Sequence, residues 1–520
     1  MIAPRAKRAA RGPRAGSQGA CVSEHDVYQS SLVSRSASAA MARLWSARHK
    51  FNAWRRVWLA VAQAQHALGL PVSAEQVAAL RAVVERPGGI SDEEIRQAGA
   101  HERRLRHDVM AHVHALGDAC PAARGVIHLG MTSQDVVCNA DAMIIGQALS
   151  LVRAKVARLV ITLARRGVEF KGEPTLGFTH YQPAQPVTVG RRLAQWGHDL
   201  WLCLLRLEVL GWPSPLARVR GLRGATGTQA SFLSLLDGRS GSVDALEGRW
   251  LAALWGGPTD PSERTLALTG QTYPRVLDTF VLADLASAAS VLHKIATDVR
   301  LLCNRKELDE PFEAEQVGSS AMPYKRNPMR CERACGLARA VMNQVGNAYD
   351  TAATQWLERT LDDSSNRRLS LPEAFLALDG ALDLVHSVAE GLVVHRATVR
   401  RNLMAELPFM AAENALMACV RLGGDRQEYH ERIRVHAQAA GTRVKDQGLD
   451  NDLLQRLRAD PAFGPPALRG PLDWDGVLDP MAYVGRSVEQ TERFEERIAR
   501  QLQAQYGAEI AELGDTAPRL

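Results

Sequence analysis

Five polar clusters interrupt a chain that is otherwise rich in apolar, helix-forming stretches: RLRHD (Arg104–Asp108), GMTSQD (Gly130–Asp135), GFTHYQPAQ (Gly177–Gln185), GSSAMPYKRNPMR (Gly318–Arg330) and ERTLDDSSNRR (Glu358–Arg368). Singly, each has a plain structural explanation. RLRHD suits a solvated helical turn, TSQD an N-cap, His180 a satisfied structural histidine, and ERTLDDSSNRR a charged loop between helices. Together they supply complementary chemistry. A histidine exchanges protons near neutral pH, and three separated arginine groups offer sites for phosphate or carboxylate. In the fourth cluster, Asn327 and Pro328 read as an N-cap and first helical residue, which would aim a helix N-terminus at the loop. A positive dipole end beside Lys325 would stabilise a deprotonated serine or a substrate carboxylate. The chemistry expected from residue types and spacing is acid–base handling of a polyanion, without a metal or redox cofactor.

Other machines are missing from the sequence. No GxxxxGK[ST] phosphate loop occurs, and GLRGATGTQ (Gly221, Gly224, Gly227) lacks GxGxxG spacing and a preceding strand, so it reads as a turn. His107, His112 and His114 have no pair four residues apart, so no HExxH-like zinc face forms. Eight cysteines show no CxxC pair, and Cys331 and Cys335 read as reduced thiols on a helix. The formal charge of +6 belongs to a tail: residues 1–20 carry five basic groups and no acid, leaving 58 basic against 57 acidic groups in the rest. The body has no nucleic-acid footprint. The tail, residues 1–27, is expected to be a disordered extension, because Pro4, Gly12, Pro13 and Gly16 break an amphipathic helix. A targeting segment is the lesser reading. No apolar run escapes charge for the roughly 18 residues of a membrane span, so a cytoplasmic protein is expected.

The elements that must hold these clusters are long helices. Pro274 to Asn304 runs without glycine and with proline only at its start, and its apolar residues recur mostly at helical spacings. That predicts a rod of about 45 Å. Similar rods are expected from about 139 to 169, 186 to 210, 328 to 358 and 371 to 394. Few segments alternate with period two, so extensive sheet is excluded and an all-α bundle follows. At 520 residues the chain exceeds one ordinary core. Three parts are expected: a helical N-terminal domain over 28–132, a central long-helix bundle over 133–394, and a helical C-terminal domain over 395–520.

GSSAMPYKRNP matches the GSSxMPxKxNP signature of the fumarase/aspartase superfamily. RRLRHDVMAHVH, GFTHYQPAQ, GTQASF, TGQTY, ERTLDDSSNRR, ELPFMAAEN and DNDLLQRL narrow the resemblance to its animal-type adenylosuccinate lyase branch, over about 28–497. The resemblance implies a three-domain lyase fold, with central helices that build the core of a homotetramer and active sites shared between subunits. It implies purine nucleotide substrates: adenylosuccinate, giving AMP, and the succinyl-carboxamide imidazole ribotide, each releasing fumarate by β-elimination, with no cofactor. By that resemblance, Ser319 on a mobile loop would be the base, His180 the acid, and Lys325 and Asn327 the groups that stabilise the carbanion. Thr132, Ser133 and Gln271 would hold the succinyl group. Arg106, His107 and Asp108 would contact the nucleotide, with His107 tuning His180. Arg35, Arg333, Arg359, Ser364 and Arg368 would bind phosphate and carboxylates.

Two departures stand out. Ser36 replaces a tyrosine that helps hold the nucleotide, and Cys138 stands where an aspartate is usual. Competing expectations are another lyase of the superfamily, such as argininosuccinate lyase or fumarase, and a catalytically retired scaffold. TLDDSSNRR and MPYKRNPMR resemble the nucleotide-handling version, and Ser319, His180, Lys325 and Asn327 are all present.

Overall fold

The computed structural model describes residues 26–514. The basic segment 1–20 lies outside the described residues. The helices that matter for the site are α1 (Ala47–Ala67), α2 (Asp92–Leu105), α3 (Asp108–Ala119) and α4 (Ser133–Glu169), followed by a hairpin of β1 (Pro174–Thr179) and β2 (Gln182–Thr188). Then come α5 (Val189–Val209), α6 (Ser240–Trp255), α7 (Val276–Asn304), α8 (Met329–Asn343), α9 (Val345–Ala353) and α10 (Asp362–Glu390). Beyond them, α11 (Arg396–Met410), α12 (Ala412–Arg421) and α13 (Arg426–Gln447) lead into short turns, and α14 (Arg500–Glu512) returns to pack on α4.

The longest element, α4, has 37 residues and so spans about 55 Å. Its buried apolar positions join two cores. Val136, Ala140 and Ile144 pack with α1, α6 and Trp250, while Ile145, Leu149, Val152, Val156 and Val160 pack with α5, α7, α8 and α10. A third cluster, containing Leu416, Tyr429, Leu453 and Phe463, stands apart in the C-terminal region. At the crossing of α4 and α5 a Cβ on Gly190 would collide with the Gly167 carbonyl, so only glycine permits that approach. Within the bundle Lys155 is 1% exposed and bridges Asp379 (2.5 Å) and Asp383 (2.7 Å). Asp379 also accepts from the Ser38 amide at 2.6 Å, which ties the N-terminal segment to α10.

The expected all-α bundle is present, but element bounds differ from expectation where proline and side-chain caps intervene. Residues 186–188, expected to start a helix, instead end β2. Pro183 and Pro186 have no N–H for a helical ladder, and Thr188 caps α5 by accepting from the Arg191 amide. The rod expected over 328–358 breaks at Gln344 and ends at Ala353. The rod expected from 371 begins at Asp362, so much of ERTLDDSSNRR is helix and not loop. Pro274 precedes α7, whose first residue is Val276. Among the described residues α7 alone has the length and hydropathy of a membrane span, yet half of that window is buried within the fold and Asp278 and Asp284 are buried too.

Candidate active site

His107 sits at the corner between α2 and α3, where Arg106 takes a left-handed conformation (φ 56°) and closes α2. The His107 Nδ1 accepts from the Met110 amide at 3.3 Å, which leaves the ring proton on Nε2. That nitrogen faces the Ser133 hydroxyl at 3.4 Å. Ser133 is the first residue of α4, and Thr132 is its N-cap, with the Asp135 carboxylate accepting from the Thr132 amide at 2.8 Å. Asp135 is fully buried. It also accepts from the amides of Arg223 (2.8 Å) and Gly224 (3.1 Å) and pairs with Arg220, which fastens the GLRGATGTQ turn to the start of α4.

Asp108 reaches across to α10, where Arg368 donates to it at 2.6 Å. Burial pushes the Asp108 carboxyl up, but the Arg368 hydrogen bond and neighbouring amide outweigh it and hold it below its ordinary value. Arg359, Ser364 and Arg368 line one cleft of about 210 Å³, with Gln134 and Lys50 in its walls. Burial, then repulsion from Arg368, lowers the Lys50 ammonium. Arg359 donates to Gln271 Oε1 at 3.1 Å, and the Gln271 amide is held by the Glu358 carbonyl. Turned so that its oxygen faces Arg359, the Gln134 amide accepts from it at 2.9 Å. Within the cleft lining, Asp363 accepts from Arg275 (2.8 Å) and Arg359 (3.4 Å), and Arg367 is held by Asp278 (2.7 Å) and Asp141 (2.9 Å). Gln271, Thr132, Ser133, His107, Asp108, Arg359, Ser364 and Arg368 thus form one connected region.

The other expected residues lie in separate places. Arg35 and Ser36 end a short turn, Leu32–Ser36, that rests on α10 at Gly380. Arg333, on α8, donates to the Arg35 carbonyl at 2.9 Å; burial, then the nearby Arg35 and Arg330 charges, lowers its guanidinium. Two like charges held side by side suit an anion between them. Ser319, Lys325 and Asn327 share the loop 311–328: the Ser319 hydroxyl accepts from the Met322 amide at 3.2 Å, and the Asn327 amide donates to the Gly318 carbonyl at 3.0 Å. Lys325 is exposed. His180 and Tyr181 both have positive φ (52° and 57°) and form the tight turn joining β1 to β2, with His180 exposed at its tip. Among the described residues no hydrogen bond or ion pair links His180 or Ser319 to the cleft. Cys138, at the departure noted above, is buried, and with the Gln134 oxygen turned to Arg359 its sulfur lies 3.1 Å from the amide nitrogen, which donates to it behind the cleft wall.

One expectation is corrected. Asn327 does not cap the following helix. Pro328 is its N-cap residue, and the Glu310 carboxylate accepts from the Arg330 (3.0 Å) and Cys331 (2.6 Å) amides. A charged acceptor at the positive end of the dipole is a stronger cap than an amide. The end of α8 is therefore already neutralised, and Lys325 and Arg326 are the loop's cations for any bound anion. Sequence reasoning also missed Lys50, Gln134 and the buried Asp141–Asp278–Arg367 and Arg275–Asp363 pairs. The available signal was acids inside apolar helical runs, as in VLDTF at Asp278.

A larger cavity, about 860 Å³, lies between the hairpin, α5 and α7 and contains none of the expected site residues. The smaller cleft gathers Arg359, Arg368, Ser364 and the perturbed Lys50, and is the candidate anion-binding part of the site.

Two family models match the chain: one described as Lyase over residues 34–210 and 269–343, the other as Adenylosuccinate lyase C-terminus over 408–494. The adenylosuccinate lyase of Saccharomyces cerevisiae is 46% identical over 91% of this chain and 94% of its own length. That of Schizosaccharomyces pombe is 45% identical over 94% and 98%. Among solved structures, the 3-carboxy-cis,cis-muconate lactonizing enzyme of Pseudomonas putida superposes with a TM-score of 0.73 at 25% identity, covering 91% of this chain and 99% of that one. With relatives of this identity covering nearly the whole of both chains, the chain belongs to the adenylosuccinate lyase family.

Proposed function

We propose that the protein cleaves adenylosuccinate to AMP and fumarate, and the succinyl-carboxamide imidazole ribotide to its amide and fumarate. Ser319 removes the proton from the carbon beside a succinyl carboxylate. The electron pair forms the carbon–carbon double bond of fumarate as the C–N bond breaks, and His180 gives the leaving nitrogen its proton. Lys325 and Asn327 stabilise the charge that builds on the carboxylate before the bond breaks. Thr132, Ser133 and Gln271 hold the succinyl group. Arg106, His107 and Asp108 contact the nucleotide, and Arg35, Arg333, Arg359, Ser364 and Arg368 meet the phosphate and carboxylates. No observation favours the retired-scaffold or other-lyase reading.

The observation that carries this reading is the separation of the parts within one chain. An anion-binding cleft, a serine–lysine loop and a histidine-tipped hairpin lie apart, each facing outward, as a site assembled from several subunits requires. Exposed Leu202, Leu205 and Val209 on α5 and Phe280 and Leu301 on α7 give the bundle apolar surface for such an assembly. Purified protein incubated with adenylosuccinate should yield equal amounts of fumarate and AMP; absence of turnover in an assembled protein overturns the assignment. Ser319→Ala should bind substrate with little turnover. Mixing inactive Ser319→Ala and His180→Ala proteins should restore partial activity, and no restoration would mean that each site is built by one chain.

A further inference from the structure

A second cleft, of about 410 Å³, lies between α4, the start of α7 and the loop over residues 210–219. It shares only Ile145 with the lining of the candidate active-site cleft. Four arginines line it: Arg56, Arg153, Arg218 and Arg264. None of them forms an ion pair among the described residues. The cleft's one carboxylate, Asp278, is buried and already engaged by Tyr273 (2.7 Å) and Arg367 (2.7 Å). Arg56 donates to the Leu254 carbonyl at 3.3 Å and Arg153 to the Ser150 hydroxyl at 2.9 Å. The Arg218 Nε is buried with no partner. Arg264 lies over the indole of Trp212 at 3.6 Å and near that of Trp255 at 5.1 Å, and Trp212 is 43% exposed.

Guanidinium groups gathered without counter-charge repel one another, and a planar fork matches phosphate oxygens in pairs. Indole faces and a stacked guanidinium offer a platform for a flat ring. The volume falls within the range of small-molecule sites. We propose that this cleft is a second binding site, separate from the catalytic one, for a ligand that joins a planar ring to a phosphate, of the purine mononucleotide class. The phosphate lies among Arg56, Arg153 and Arg218, and the ring stacks at Trp212, Trp255 and Arg264.

The test is equilibrium dialysis of the full-length protein against AMP, adenosine and inorganic phosphate. An Arg218→Gln/Arg264→Gln variant should bind one equivalent of AMP per chain fewer than the wild type. The difference carries the test, so it stands whether or not AMP also occupies the catalytic cleft. A second variant guards against misfolding. Gly146 lines the same cleft, and a Cβ there meets nothing within 4 Å. Gly146→Glu should therefore place a carboxylate among the arginines, lose the same equivalent and keep the melting temperature. The proposal is overturned if both variants bind as many equivalents as the wild type. It is equally overturned if adenosine alone or phosphate alone fills the extra site as tightly as AMP.

Discussion

Asp135→Asn should destabilise the fold far more than its single-atom change suggests. The carboxylate is wholly buried, pairs with an equally buried Arg220 and accepts from three backbone amides, at Thr132, Arg223 and Gly224. Asparagine keeps one acceptor oxygen, turns the other position into a donor that faces donors, and removes the only charge opposite Arg220. Removing one partner of a buried ion pair costs about 3–5 kcal/mol, because the other charge is left uncompensated. At 2–4 °C per kcal/mol for a unit of 150–250 residues, the melting temperature should fall by roughly 6 to 20 °C. Thermal unfolding followed by circular dichroism reads this directly. The reasoning also predicts coupling. Adding Arg220→Met removes the orphaned guanidinium, so the double variant should be more stable than the sum of the two single losses. A fall below about 2 °C for Asp135→Asn, or single losses that add within about 0.5 kcal/mol, would refute the account.

Three further outcomes follow from the geometry. Burial lowers His112, His128 and His386, each to about 4. Their folded pKa lies below the unfolded value near 6.5, so the unfolded chain binds more protons as pH falls. Stability present above pH 6.5 is then lost between 6.5 and 4, by up to about 3 kcal/mol per group. His112→Phe, which keeps the ring stacked on Phe51, should flatten the melting-temperature profile over that range, and an unchanged slope would contradict it. Glu310→Ala removes the cap of α8 and should cost about 1–2 kcal/mol; limited proteolysis should then cut faster within 311–330, and an unchanged cleavage rate would show that the cap does not hold the loop. Gly318→Ala places a Cβ against the Lys325 carbonyl. Turnover should fall while the melting temperature moves by less than about 2 °C, since the loop lies outside the core; normal turnover would show that the loop accommodates the methyl.

The bundle was legible because apolar residues repeat along the long helices at helical spacing, and each polar cluster was visible as a break in that rhythm. His107, Ser133, Asp108, Arg359 and Arg368 could be picked out, since arginine and histidine beside hydroxyls are not what a core requires. Their connections were not legible. Asp108 meets Arg368 across 260 positions, a pairing that only tertiary packing creates. The cap of α8 escaped for the same reason. Local rules assign it to Asn327, whereas the carboxylate that does the work comes from Glu310, upstream of the whole loop. The hairpin escaped because Pro183 and Pro186 sit in a segment too short and irregular to alternate. The buried acids were obscured by their surroundings: Asp278, Asp379 and Asp383 lie within apolar runs that read as ordinary helix core.

The longest helix limits how the cleft can move. Within α4 the changeover between the two apolar cores falls between the neighbouring residues Ile144 and Ile145, and both line the cleft. Gln134, Val137 and Asp141, further back along the same helix, form the rest of that wall. No loop separates the part of α4 held by the first core from the part held by the bundle. A jaw-like swing of one core against the other would have to bend a continuous helix at its most tightly gripped point, breaking packing on both sides at once. The segment between Glu310 and Met329 is built differently: it has no continuous helix, is clamped at the α8 end and carries exposed Val317, Met322 and Tyr324. The wall that α4 gives the cleft is thus part of a frame gripped on both sides, and its shape is fixed by the packing of two cores at once.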